Sequence, residues 1–176
     1  IIYVGIFLPI VLSSKAYAVY AAFSSEWAFT ASFFKFAILA TMGEMLGMRI
    51  RTGRYYSDDF GLIPRAIVWG FLGMFTKAAF MIFSGGVPAI AMHAGMQDPS
   101  SIMAGGLGGQ KILLAFLISL FLNVIYAPVL MLTHKVTDSH ISKTGGTLRG
   151  FFSPFSISET LADIDWNTMW GFVLKK

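Results

Sequence analysis

Cysteine is absent from this 176-residue chain, which excludes disulfides, thiolate metal sites and thiol nucleophiles. Charge is scarce too: Asp, Glu, Lys and Arg make up 12% of the residues, against about 25% in ordinary soluble domains. No serine, histidine and aspartate stand in a recognisable catalytic order, so no enzymatic activity and no cofactor are expected. His134, Asp138 and His140 have spacings a metal could exploit, but they lack a fourth ligand nearby. They read as solvated loop residues, and no metal site is expected. The tract Gly105-Gly106-Leu107-Gly108-Gly109 lacks the preceding strand and the closing Lys-Ser or Lys-Thr of a phosphate loop. Net charge is +4, yet no basic–aromatic motif accompanies it, so nucleic acid is not an expected partner.

What the chain has in excess is apolar surface. It is 56% hydrophobic, with a mean hydropathy of +0.69. So short a chain cannot bury that much apolar area in one water-facing globule, and lipid must be part of its solvent. The expected architecture is all-α: a polytopic transmembrane helix bundle of about four spans, forming one integral membrane domain. A span needs about 20 apolar residues, and the sequence offers blocks near 1–23, 28–50, 62–92 and 112–133. The first resembles a signal-peptide core before Ala16-Tyr17-Ala18, but reads as a membrane helix kinked at Pro9. The third is long and is expected to break at Gly85-Gly86 and Pro88. A polar segment follows at 134–165, then the start of a further helix at 166–176. Within the polar segment Phe151, Phe152 and Phe155 form an aromatic patch suited to a membrane interface.

Basic residues set the expected topology. Arg49, Arg51, Arg54 and Arg65 precede two further crossings, after which Lys135, Lys143 and Arg149 return to the same side. Lys- and Arg-rich loops face the cytoplasm, which puts the 49–65 loop on the cytoplasmic side of a bacterial cytoplasmic membrane, or on the cytoplasmic or matrix side of an organelle membrane.

Four polar side chains interrupt the spans. At about 1.5 Å per residue, Glu44 lies about 9 Å from the basic edge, Asn123 about 15 Å, Lys77 about 18 Å and Lys35 about 22 Å. Facing a common interior, they would form a polar ladder lining a solute or proton path. Lys77 carries most weight, because a charge in mid-span costs about 2.5–3.5 kcal/mol on insertion scales. The structural alternatives are that Lys35 snorkels outward, Asn123 bonds a neighbouring helix, and Glu44 pairs with Arg65 or another arginine. Gly43 and Gly47 form a GxxxG element, and Gly70 and Gly73 a second small face; both are expected to let helices pack closely.

In order along the chain, Gly43-Glu44, then Arg65 with Gly70-Phe71-Leu72-Gly73, then Asn123-Val124-Ile125-Tyr126-Ala127-Pro128 resemble the motifs of the family of the twenty-two-kilodalton peroxisomal membrane protein and its inner-mitochondrial relatives. The resemblance covers roughly residues 33–132. Met74, Ala79-Phe80 and Leu122 depart from the family pattern. The resemblance implies a four-helix-type membrane protein that acts as a channel or alters small-solute permeability. An equal fit to the packing glycines and aromatic patch is a structural or assembly subunit. The expected partners are the lipid bilayer and either further copies of the chain or a larger membrane complex.

Overall fold

The computed structural model describes Leu8 and residues 12–167, and the described residues contain helices and no strand. Helix α1 (Ser14–Glu26) starts at Ser13, whose hydroxyl accepts the Ala16 N–H at 3.3 Å. A turn at Trp27 leads into α2 (Ala28–Thr52), which places Arg49 and Arg51 in its last turn and ends on Gly53 at φ +77°. Cations there complement the helix dipole, and a left-handed glycine is the favoured helix stop. A 3₁₀ turn (Asp58–Phe60) precedes α3 (Leu62–His93). After α4 (Pro99–Ala104) come α5 (Gly109–Phe121), a π turn (Leu122–Tyr126) and α6 (Ala127–Lys143), which run on as one rod. Two short helices close the described chain, α7 (Leu148–Phe151) and α8 (Ile157–Ala162).

Among the described residues three segments are long and apolar enough to cross a membrane: Ala28–Thr52, Asp58–His93 and Gly109–Lys143. Of the expected first span, residues 1–7 and 9–11 lie outside the described set, whereas 14–23 are helical within α1. Of the helix expected at 166–176, Trp166 and Asn167 are described and helical, and the rest lies outside the described set. Large apolar side chains cover the outer surfaces, Phe71, Phe75 and Ile82 on α3 and Ile112 and Phe116 on α5 among them. So much exposed apolar area is foreign to a water-facing monomer and matches a hydrocarbon solvent.

Two expectations are corrected. Helix α3 does not break at Gly85-Gly86 or Pro88 but runs through all of them. Proline removes one backbone hydrogen bond, whereas a broken helix in an apolar medium would strand several unpaired groups. Nor is 134–165 a polar loop throughout: α6 carries the helix on to Lys143, so His134, Asp138 and His140 lie on a helix. The π turn just ahead of Pro128 absorbs the extra backbone that an internal proline demands.

Helices α2 and α3 pack antiparallel along most of their length. A Cβ on Gly70 would lie 2.4 Å from the Phe33 ring, and one on Gly73 would lie 2.5 Å from Phe36 Cβ and 2.7 Å from the Ser32 carbonyl. These two glycines admit the close approach. Gly43 and Gly47 do not: no neighbour lies within 4 Å of a Cβ on Gly43, and Gly47 meets only the Arg51 side chain. That GxxxG face borders open space rather than a helix.

At the other contact, α6 lies on α3 through Val68, Leu72 and Ile141, with Trp69, Leu130 and Phe151 packed around them. Tyr126 reinforces it, its hydroxyl 2.9 Å from Thr76 Oγ1 and 3.4 Å from the Leu72 carbonyl. Phe151 is thus half-buried against this contact, whereas Phe152 and Phe155 are exposed, the Phe155 ring tilted against His140 with centroids 4.8 Å apart. The ends of α2 and α6 and the start of α3 therefore meet at one end of the bundle, the end that carries the basic loops.

Candidate functional site

Glu44 is the hub of that end. Its Oε2 accepts Arg65 Nη1–H at 2.6 Å, and its Oε1 accepts both Trp69 Nε1–H at 2.7 Å and His134 Nε2–H at 2.6 Å. Arg65 uses its whole guanidinium: Nη1 also pairs with Asp138, Nε–H donates to the Phe60 carbonyl at 2.5 Å and Nη2–H to Ser142 Oγ at 3.2 Å. The Arg65 side chain is 11% exposed and that of Glu44 18%. Charges this shielded are tolerated when paired and hydrogen-bonded on several sides, and both of these are.

Helical spacing builds the cluster. Arg65 and Trp69 stand four residues apart on α3, and His134 and Asp138 four apart on α6, so each pair shares one helical face. The His134 ring lies on the Trp69 indole, centroids 4.4 Å apart. The start of α3 is fixed from below by Gly61 and Gly146, at φ +65° and +68°. A Cβ on Gly61 would come within 2.5 Å of Ile141, and one on Gly146 within 2.5 Å of the Gly61 nitrogen. This interlock holds the loop after α6 against the entry to α3 and thereby sets Arg65 opposite Asp138.

Between α2 and α6, with α3 as its floor, lies an open cleft of about 540 Å³. Gly43, Gly47 and Arg51 line it from α2, Arg65 and Trp69 from α3, and His134 and Asp138 from α6. The Glu44–His134 hydrogen bond crosses it.

The four residues of the expected ladder do not converge. Glu44 sits in the cluster. Lys35 turns toward α1, its Nζ donating to Ser24 Oγ at 3.0 Å and lying 4.6 Å from the Tyr20 ring centroid. Asn123 is exposed and bonds back to the Ser119 carbonyl of its own rod at 2.8 Å. Lys77, half-buried, has no hydrogen-bonding or ionic partner among the described residues. Trp69, His134 and Asp138 were not among the expected site residues. Their signal was the repeated four-residue spacing of polar groups, which shows only once the last span is continued beyond Thr133. His140 turns elsewhere, its Nε2 3.1 Å from the Phe151 carbonyl.

Fold and site together define an all-helical chain with three segments able to span a bilayer and a polar cleft at their common end. No protein-family model matches the chain, and neither a curated protein nor a solved structure matches it.

Proposed function

We propose that this chain is a channel-like or transport-type integral membrane protein that affects small-solute permeability, with the cleft as its solute-admitting vestibule on the cytoplasmic or matrix side. One observation carries the proposal: a cleft of about 540 Å³ lined by charged side chains opens between segments that are otherwise apolar enough to span a bilayer. Ionisable groups that line a cavity between membrane-spanning helices are markers of solute and proton routes. The resemblance of residues 33–132 to the peroxisomal and mitochondrial family supports the same function. Release of small polar solutes from liposomes containing the purified chain tests it. Gly43→Leu starts into open space, with nothing within 4 Å of its Cβ, and adds bulk to the cleft. Release well above protein-free liposomes, reduced several-fold by Gly43→Leu at unchanged thermal stability, is the expected result. Equal release with and without the substitution overturns the proposal.

A second function, that of a non-catalytic structural or assembly subunit of a larger membrane complex, is favoured by Lys77. An unpaired ammonium in mid-helix is costly in hydrocarbon, and a carboxylate on a partner chain would relieve that cost. A stable, stoichiometric partner that copurifies with the wild-type chain and is lost from Lys77→Met is its test.

A further inference from the structure

An arginine near the water-side end of a membrane helix ordinarily extends outward, beyond the helix end, to keep its head group wet. Arg49 follows the rule: it reaches past the end of α2, with its guanidinium 5.5 Å from the Tyr55 ring centroid and one of its nitrogens 3.8 Å from a Cβ built on Gly53. Arg51, two residues on and also solvent-exposed, turns back along the helix instead. Its Nη1 lies 3.6 Å from the position of a Cβ on Gly47, one turn back toward the membrane interior, and the side chain lines the cleft. Gly47 leaves the groove along which it lies.

Arg51 also has no hydrogen bond or ion pair among the described residues. The carboxylates of the cleft are already engaged, Glu44 by Arg65, Trp69 and His134, and Asp138 by Arg65. What remains unspent on the α2 wall is therefore a cationic donor fork. A guanidinium matches carboxylate and phosphate oxygens in a two-point hydrogen-bonded pair, and a low-dielectric wall on one side strengthens that pairing.

We propose that Arg51, laid over Gly47, is the anion-holding group of the cleft, taking a ligand that carries a carboxylate or a phosphate. The proposal rests on the cleft being the vestibule of the preceding section and names the chemistry it selects. Two sources supply that chemistry, a free small anion and the headgroup of an anionic lipid.

The test is calorimetric titration of the purified full chain in neutral detergent with succinate, inorganic phosphate, and monomeric short-chain phosphatidylglycerol, with glycerol as the uncharged control. Saturable binding of at least one anion and none of glycerol is expected. Arg51→Gln and Gly47→Leu should each weaken it on the order of tenfold, with melting temperatures measured alongside to show that both remain folded. Arg54→Gln, at an exposed position outside the cleft, should leave it unchanged. Binding of succinate or phosphate identifies a free solute; binding of the phosphatidylglycerol alone identifies a lipid headgroup, and either supports the proposal. Absence of saturable binding, or equal weakening by Arg54→Gln, overturns it. The liposome experiment fails separately: Arg51-dependent binding without Gly43-sensitive release would remove the transport function and leave the anion site standing.

Discussion

Glu44 and His134 meet across open space: Oε1 and Nε2 are 2.6 Å apart, although the backbones of α2 and α6 make no close approach to each other. Both helices instead lean on α3. The hydrogen bond is thus a strut over the cleft, and it ties the end of α2, a helix that Gly70 and Gly73 already hold close to α3, to α6. A salt link or hydrogen bond at a surface contributes little, but here the partners are mostly shielded and Trp69 fixes the imidazole from one side.

The strut predicts energetic coupling. In a double-mutant cycle of Glu44→Gln and His134→Gln, read by unfolding in detergent, the two changes should fall short of additivity by about 1–2 kcal/mol, as contacting residues do. Glu44→Gln alone should cost about 2–4 kcal/mol, since it leaves Arg65 with one carboxylate partner instead of two. Strict additivity would mean that the strut bears no load.

Much of the fold was legible in the sequence, and the reason is the length of its apolar blocks. Blocks of apolar residues near 28–50, 62–92 and 112–133 are long enough to span a bilayer, and in such a medium a helix is the one way for a single segment to satisfy its own backbone. The same fact explains why the expected break at Pro88 did not occur. Site residues were harder. Depth along separate helices was readable for Glu44, Lys77, Asn123 and Lys35, but which way each side chain faces depends on helix rotation, and that is set by contacts such as Gly73 on Phe36. His134 and Asp138 were hidden for a different reason: polar composition after Thr133 reads as loop, whereas the helix persists and carries them into the cleft.

The glycines separate into two classes with opposite predicted outcomes. Gly73→Ala drives a methyl group into Phe36 and the Ser32 carbonyl and should destabilise by about 1–3 kcal/mol, the usual cost of overpacking. Gly43→Ala meets nothing within 4 Å and should be neutral or stabilising by up to about 1 kcal/mol, through helix propensity alone. Gly70→Ala falls between them, because the Phe33 ring it strikes is a side chain able to turn. Thermal melting of the three variants in one detergent orders them, and a Gly43→Ala variant as unstable as Gly73→Ala would refute the open cleft.

Gly61 and Gly146 offer a sharper case, because both conformation and space forbid a side chain. Each sits at positive φ, and the added carbon would strike backbone of the other. Either alanine variant should lose about 2 kcal/mol or more, and the pair should be strongly non-additive, since the first substitution already opens the contact. Hydrogen exchange would report it locally, with faster exchange at the start of α3 and in the loop after α6, and little change where α2 meets Gly73.

Trp69 combines a donor and a platform, and the two are separable. Trp69→Phe keeps a ring against His134 but removes the indole N–H that reaches Glu44 at 2.7 Å. Glu44 retains its bonds from Arg65 and His134, so the loss should be about 1 kcal/mol, that of one hydrogen bond to a charged acceptor less what the remaining donors recover. Trp69→Ala removes the platform as well and should cost about 2–3 kcal/mol, below the range of fully buried aromatics because Trp69 is half-buried. It should also free the imidazole, so that His134→Gln made on top of Trp69→Ala costs less than it does in the wild-type chain. If the two Trp69 variants melt alike, the indole N–H is the dominant contribution and the ring contact with His134 is incidental.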